Sequence, residues 1–404
     1  MFFIPSAFGD ENEDYLTLPV LKSFARLKRS SGFKISEGRP ELVRKLEVYA
    51  NESSHNQEEV LCWLDNVTKE GIKDVYVKML HITERDLINL TNQEYISNSV
   101  TSYMEDVTIK HICGNAYDEN FKLVKCTLNN ISGNKLSLIF CKMVFIDDKK
   151  KPTKKIIYPV FVDIILSEGI IVGRAKPKAA MYEYNKNGYN PATANALNTS
   201  SEILKAMECT LDIFPISVKD KTYSLSVFKN KIYRLLDEFT HTPSCIKEQI
   251  ECHSERINDI SREVVAEICK VSDVVLGDVV YDIRNTIEKY ISICWPDKSV
   301  FTLEREAYPL KIIATDEEDS HIEQASTAED PLQSKAVFFD NKKMLQKNMK
   351  CDGVCFCYER LNGEYMNNKF KVRIIAKKDY CLIKFTEYTR EEDIIHVISS
   401  VINA

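Results

Sequence analysis

The segment Lys154 to Tyr189, KKIIYPVFVDIILSEGIIVGRAKPKAAMYEYNKNGY, constrains the fold more tightly than any other stretch of the chain. Ile156 to Leu166 and Ile170 to Val172 are runs of β-branched and aromatic residues separated only by Ser167, Glu168 and Gly169, which predicts a β-hairpin. The apolar residues run almost unbroken instead of alternating with polar ones, so both faces of these strands are expected to be covered. Beyond the hairpin, Arg174, Lys176 and Lys178 fall at every second position, and on a continued strand they would share one face. Pro177 excludes that row from a central strand. Tyr182, Tyr184 and Tyr189 follow in what reads as turn and loop. Cations neutralise phosphates and tyrosines stack on bases, so Arg174, Lys176, Lys178, Tyr182 and Tyr184 are candidate nucleic-acid contacts.

Composition limits that reading. With 54 Lys and Arg against 60 Asp and Glu, the net charge is −6, so a polyanion must be held by a local patch and not by the field of the whole molecule. Lys, Ile and Asn are abundant, as in an AT-rich coding sequence. The start, MFFIPSAFGDENEDY, has no cationic leader and is broken by Pro5 and Gly9, so no signal peptide is expected. No run approaches the ~18 apolar residues of a spanning helix, so no membrane contact and a cytoplasmic location are expected. Cysteines inside apolar runs, such as Cys141 in LSLIFCKMVF and Cys381 in DYCLIKF, read as core residues of a reducing compartment. Cys351, Cys355 and Cys357 are the tightest group, but no second pair answers them as zinc would require. No metal ligand and no cofactor is assigned.

Along the chain, helical spacing covers Leu16 to Arg29, a segment starting at Pro40, and Asn56 to Glu70, with Gly71 as a stop. Strands are expected at Ile72 to Leu80, Val107 to Cys113, Phe121 to Leu128 and Leu136 to Ile146. A polar segment lies at Asn89 to Asn98, and a charged turn at Asp147 to Lys155. An antiparallel meander is the simplest connection of strands so close in sequence. Asn185 to Ser201 reads as a connector. From Ile246 to Val275, apolar or semi-apolar positions recur in steps of four and three, a heptad-like seam that includes His253, expected to be packed. Helix resumes at Tyr281 to Ile293. The seam fits equally an antiparallel helix pair within one chain and a protein partner or homodimer docked through residues 246–293.

Asp316 to Asp330 is acidic and reads as a loop. Strands return at Leu310 to Ala314, Ala336 to Phe339, Gly353 to Tyr358, Phe370 to Ile375 and Tyr380 to Phe385. Thr389 and Glu392 are spaced as a capping box before a final apolar-faced helix. Lys369, Lys371 and Arg373 alternate with Phe370, Val372 and Ile374, a second cation row on one wet face. The expected architecture is multi-domain α+β: antiparallel sheets, a helical N-terminal layer and a long-helix middle. Boundaries are set at 1–105, 106–198, 199–306 and 307–404.

Standard chemistry is missing. There is no Walker loop, no dinucleotide-binding glycine pattern, no nucleophile elbow and no HExxH, and the seven histidines show no paired spacing. No catalytic residue is assigned. A metal-dependent nuclease would need clustered carboxylates near a lysine. Asp163 and Lys176 suggest one, but Arg174 stands where an acid is needed. The leading expectation is therefore a non-enzymatic nucleic-acid-binding or assembly subunit of a multi-component cytosolic system. It would hold its ligand through Arg174, Lys176, Lys178, Tyr182, Tyr184, Lys369, Lys371 and Arg373. A divergent nuclease and a protein-only scaffold are the alternatives, and prokaryotic antiviral defence is the setting that a chain with no metabolic motif suggests.

Overall fold

The computed structural model describes the chain except residues 6–14, 102, 105–110, 114–115, 130–133, 149–150, 186–187, 189, 191–193, 270–274, 304, 316–320, 327–329 and 363–366. It is α+β, with every strand pairing described below antiparallel. The chain forms two compact units, Met1–Ser224 with Leu382–Ile395 and Leu225–Cys381 with His396–Ala404.

In the first unit the N-terminal helices fall where their periodicity predicts: α1 Leu18–Leu27, α2 Arg39–Glu52 with Pro40 in its first turn, and α3 Ser54–Lys69. Ser53 caps α3 by accepting the Asn56 amide, which satisfies one of the free N–H groups of the first turn. Their apolar stripes meet in one core, where the Phe24 ring lies 4.7 Å from Trp63 and 5.5 Å from Phe33. Strand β1, Lys73–His81, follows. The polar segment from Asn89 to Asn98 falls in two helices: α4 is Glu84–Thr91 and α5 Gln93–Thr101. A capping box, in which Thr83 and Asp86 bond each other's backbone, nucleates α4. Of the expected strand Val107 to Cys113, residues 107–110 lie outside the described residues, and His111 to Cys113 is a bend and turn.

Strands β2 Lys122–Asn129, β3 Lys135–Asp148, β4 Lys151–Ile165 and β5 Ile170–Ala175 form the expected meander, and β1 pairs the free edge of β5. The charged stretch from Asp147 to Lys155 is mostly strand rather than turn, because Phe145 and Ile146 register against Lys155 and Lys154 and carry the ladder outward. The two ends of β3 use one edge twice. Its first half pairs β2, and Val144 to Ile146 pair β6, Met181–Glu183, a strand where only turn was expected. Beyond lies β7, Ala196–Leu197. The opening hairpin is core on both faces, since all six residues of β5 are buried. Helix α6, Thr199–Ile213, covers β5 so closely that a Cβ on Gly173 would lie 2.6 Å from Ile203 Cγ2. Strand β8, Ser217–Val218, pairs β1, as does β13, Cys381–Phe385.

Helix α7 is Lys221–Phe239, in the second unit from Leu225 on. The heptad-like seam is no single helix. It breaks into α8 Ser244–Glu251, α9 Ser254–Glu263 and a π-helical stretch Val264–Cys269, then reverses into α10 Leu276–Cys294. His253 sits at the break and is exposed, not packed, because α8 ends there with its last carbonyls bonded by Cys252 and His253 amides. Ile246, Ile250 and Ile257 bury against Ile283, Ile287 and Ile291, so these seam positions are satisfied within the chain.

Strands β9 Ala307–Thr315, β10 His321–Ala325, β11 Gly353–Glu359 and β12 Lys369–Ala376 order as β10-β9-β11-β12. Part of the acidic segment is thus a strand, since Ile322 and Gln324 pair Ala314 and Ile312. Ala336 to Phe339 is not a strand but the start of α11, Ala336–Asn348, where Phe338, Phe339 and Leu345 fall on its buried side. The last helix, α12, is Glu391–Asn403. The expected capping box does not form as spaced: the helix starts after Arg390, and the Thr389 hydroxyl donates to the Glu387 carbonyl. No helix among the described residues is long and apolar enough to cross a membrane.

Candidate functional site

The structure separates the residues of the first cation row. Arg174, next to last in β5, faces inward and is 3% exposed. Its guanidinium lies 5.6 Å from the Phe161 ring, and Nη2 donates to Glu391 Oε1 at 2.6 Å. Nε and Nη1 have no hydrogen-bond partner among the described residues. Lys176 and Lys178 lie beyond the strand, half-buried, with their ammonium groups 5.6 and 5.8 Å from the Tyr15 ring. The tyrosines face elsewhere in the same unit. Tyr182 registers opposite Phe145, and Tyr184 packs on Phe145 at 5.4 Å with Lys155 over its ring at 5.4 Å. Tyr189 lies outside the described residues. Alternation failed as a guide here because β5 stops at Ala175, so the residues after it need not keep a common face.

Arg174 lines a polar cavity of about 250 Å³ with Lys69, Lys135, Asp163 and Glu391. This is where a nuclease reading would place its metal. Asp163 is ion-paired to Lys135 at 2.9 Å, and Glu391 is held by Arg174 and, at 3.9 Å, by Lys69. Burial alone would raise the Asp163 carboxyl, but the charges of Lys135 and Arg174 and a bond from Ser137 outweigh it and hold it below the usual range. Each of these two carboxylates already has a cation beside it. The fully buried Lys73 lies nearby, its amine bonded to the Thr68 carbonyl at 2.5 Å. Burial first, then the charges of Arg174, Lys176 and Lys178, push its pKa far down.

The second row behaves as alternation predicts. On β12, Phe370, Val372 and Ile374 are buried while Lys369 and Lys371 are half-exposed and Arg373 is exposed. The register sets Cys355 of β11 between Arg373 on one side and Lys311 of β9 on the other. With strands about 4.8 Å apart, Lys311 and Arg373 lie about 10 Å apart on one face. Lys311, absent from the sequence-level row, is found only through that register. Lys311 is engaged with Glu323 at 2.5 Å, and Lys369 with Glu359 at 3.8 Å and over the Tyr308 ring at 5.0 Å. Arg373 makes no ion pair with a described residue.

A different cluster has no counterpart in the sequence-level candidates. Glu58 and Cys62 lie one turn apart on α3 and meet His111, and one ligand atom from each falls within 4.8 Å of the others. His111 Nε2 is 3.1 Å from Glu58 Oε1, and Glu58 Oε1 is 3.9 Å from Cys62 Sγ. On its other side the His111 Nδ1–H donates to Asp65 Oδ2 at 2.8 Å, while Asp65 Oδ1 accepts the Ile112 amide at 2.9 Å. The spacing of Glu58, Cys62 and Asp65 on one helix face is legible in the sequence. The partner His111 is not, because it lies 53 residues from Glu58 and no periodicity connects them.

Comparison of the chain with protein-family models, with curated proteins and with solved structures gave no match.

Proposed function

We propose that the protein is a cytosolic, non-enzymatic binding subunit that engages nucleic acid through the solvent face of β12, with Lys371 and Arg373 at its centre and Lys311 and Lys369 flanking them. One observation carries this reading: the row alternates strictly with buried residues on a well-paired strand, and the register brings a fourth cation from β9 onto the same face. A strand face presents cations at fixed spacing, which suits a regular phosphate backbone and gives affinity without sequence preference. The described cysteines are all free thiols, in keeping with a reducing compartment. Lys176 and Lys178, drawn onto Tyr15, are a second contact at most, and Arg174 is excluded as a surface contact by its burial.

The test is retardation of labelled duplex and single-stranded DNA and RNA by the full chain, in chelator and then in Mg²⁺ or Mn²⁺. The expected result is salt-sensitive binding without cleavage, weakened by Lys371→Gln with Arg373→Gln and little changed by Lys176→Gln with Lys178→Gln. Metal-dependent product formation would move the assignment to a nuclease. Failure of every nucleic acid to bind would leave a protein-only scaffold.

A further inference from the structure

Outside the proposed binding face, the first unit carries side chains arranged as a metal site. We propose that Glu58, Cys62 and His111 bind one divalent transition-metal ion, zinc by preference, with Asp65 orienting the histidine and a fourth coordination position open to a cavity.

The donor set is one carboxylate oxygen, one thiol sulfur and one imidazole nitrogen, which zinc accepts at about 2.0 to 2.3 Å each. A tetrahedral ion with such bonds needs ligand atoms about 3.3 to 3.7 Å apart. Glu58 Oε1 and His111 Nε2 at 3.1 Å, and Glu58 Oε1 and Cys62 Sγ at 3.9 Å, bracket that span. The widest separation, within 4.8 Å, closes by turning side chains that are free to turn, because Glu58 and Cys62 are exposed. The rigid member is the histidine. His111 is 8% exposed and Asp65 is 6% exposed, and the Asp65 carboxylate fixes both the ring, through Nδ1–H, and the adjoining backbone, through the Ile112 amide. That leaves Nε2 as the nitrogen directed at the other two ligands. A carboxylate holding the far nitrogen of a ligating histidine is the usual outer-sphere arrangement of zinc sites.

A second observation is independent of the cluster. Glu58, Cys62 and His111 line a cavity of about 410 Å³, walled on other sides by Ile96, Val100 and Val124. Gln93, Ser97, Thr101, Lys125 and Thr127 line it as well, so a water or small polar molecule at the open position would meet hydrogen-bonding side chains. Three protein ligands and a free position facing such a pocket are how zinc is held where a water or a small molecule completes the coordination.

The experiment uses the full chain, stripped with chelator and titrated with Zn²⁺ against a chromophoric chelator, and in parallel with Co²⁺. The proposal expects one tightly bound equivalent, and with Co²⁺ a thiolate-to-metal absorption band with tetrahedral visible bands. Cys62→Ser must abolish the thiolate band, and Glu58→Gln must weaken binding. Asp65→Asn, which touches no metal, should weaken it about 10- to 100-fold. Cys126→Ser, on the same cavity wall but outside the cluster, should leave stoichiometry and spectrum unchanged. Because Glu58 and Cys62 are exposed, their variants test the site without unfolding the core, and unchanged melting curves check this. Absence of a bound equivalent, or binding with a thiolate band that survives Cys62→Ser, overturns the proposal. Neither outcome depends on whether nucleic acid binds β12.

Discussion

Neutralising Lys371 and Arg373 makes the sharpest test of the binding face, because the structure fixes how many charges are in play. Four cations share that side of β9 and β12, and two of them, Lys311 and Lys369, already have carboxylate partners. Taking as limits the two charges that the variant removes and all four on the face, the slope of log K against log salt lies between about −1.8 and about −3.6. Raising salt from about 50 to about 200 mM would then cost about 12-fold to about 150-fold in affinity. Lys371→Gln with Arg373→Gln removes the two central charges, so the slope should fall by about 1.8 whichever limit holds. Both side chains project from the wet face, so the fold should not be disturbed. The assay is fluorescence anisotropy with a labelled duplex across a salt series, read for slope as well as for affinity at one salt. A slope unchanged in the variant would refute the reasoning, since it would mean that the phosphates are met elsewhere.

Other expectations concern the first unit. Gly173→Ala should cost about 1 to 3 kcal/mol, because its Cβ would lie 2.6 Å from Ile203 Cγ2 and 2.7 Å from Met207 Sδ. Combined with Ile203→Ala, the total cost in urea titrations should be smaller than the sum of the two single costs, whereas strict additivity would show that the helix does not press on β5. The buried pair of Lys142 and Glu202 should make Glu202→Gln costly, at about 3 to 5 kcal/mol, while replacing both partners by apolar residues should cost much less. For Asp163, whose folded carboxyl is held below its ordinary range, the pair with Lys135 stabilises at neutral pH. That contribution is lost as pH falls through the ordinary aspartate range, about 3.9, toward the folded value. The stability gap between wild type and Asp163→Asn should therefore narrow in acid, and a gap independent of pH would contradict the assignment.

Local pattern alone determined much of this protein. The apolar hairpin from Ile156 to Val172, the three N-terminal helices and the alternating strand at Lys369 to Ala376 follow from period and composition, because each buries one face whose spacing is written in the chain. What misled were segments whose period is ambiguous. Ala336 to Phe339 reads as strand until Leu345 completes a helical stripe, and the steps of four and three from Ile246 to Val275 run across a helix break that no residue spacing announces. The candidate sites divide the same way. Lys369, Lys371 and Arg373 were visible because they belong to one strand, but Lys311 joins them only through strand register. Arg174 turned inward because its strand is covered on both faces. His111 reaches Glu58, Cys62 and Asp65 only because the chain folds back onto α3, a long-range meeting that depends on packing and leaves no periodic trace in the sequence.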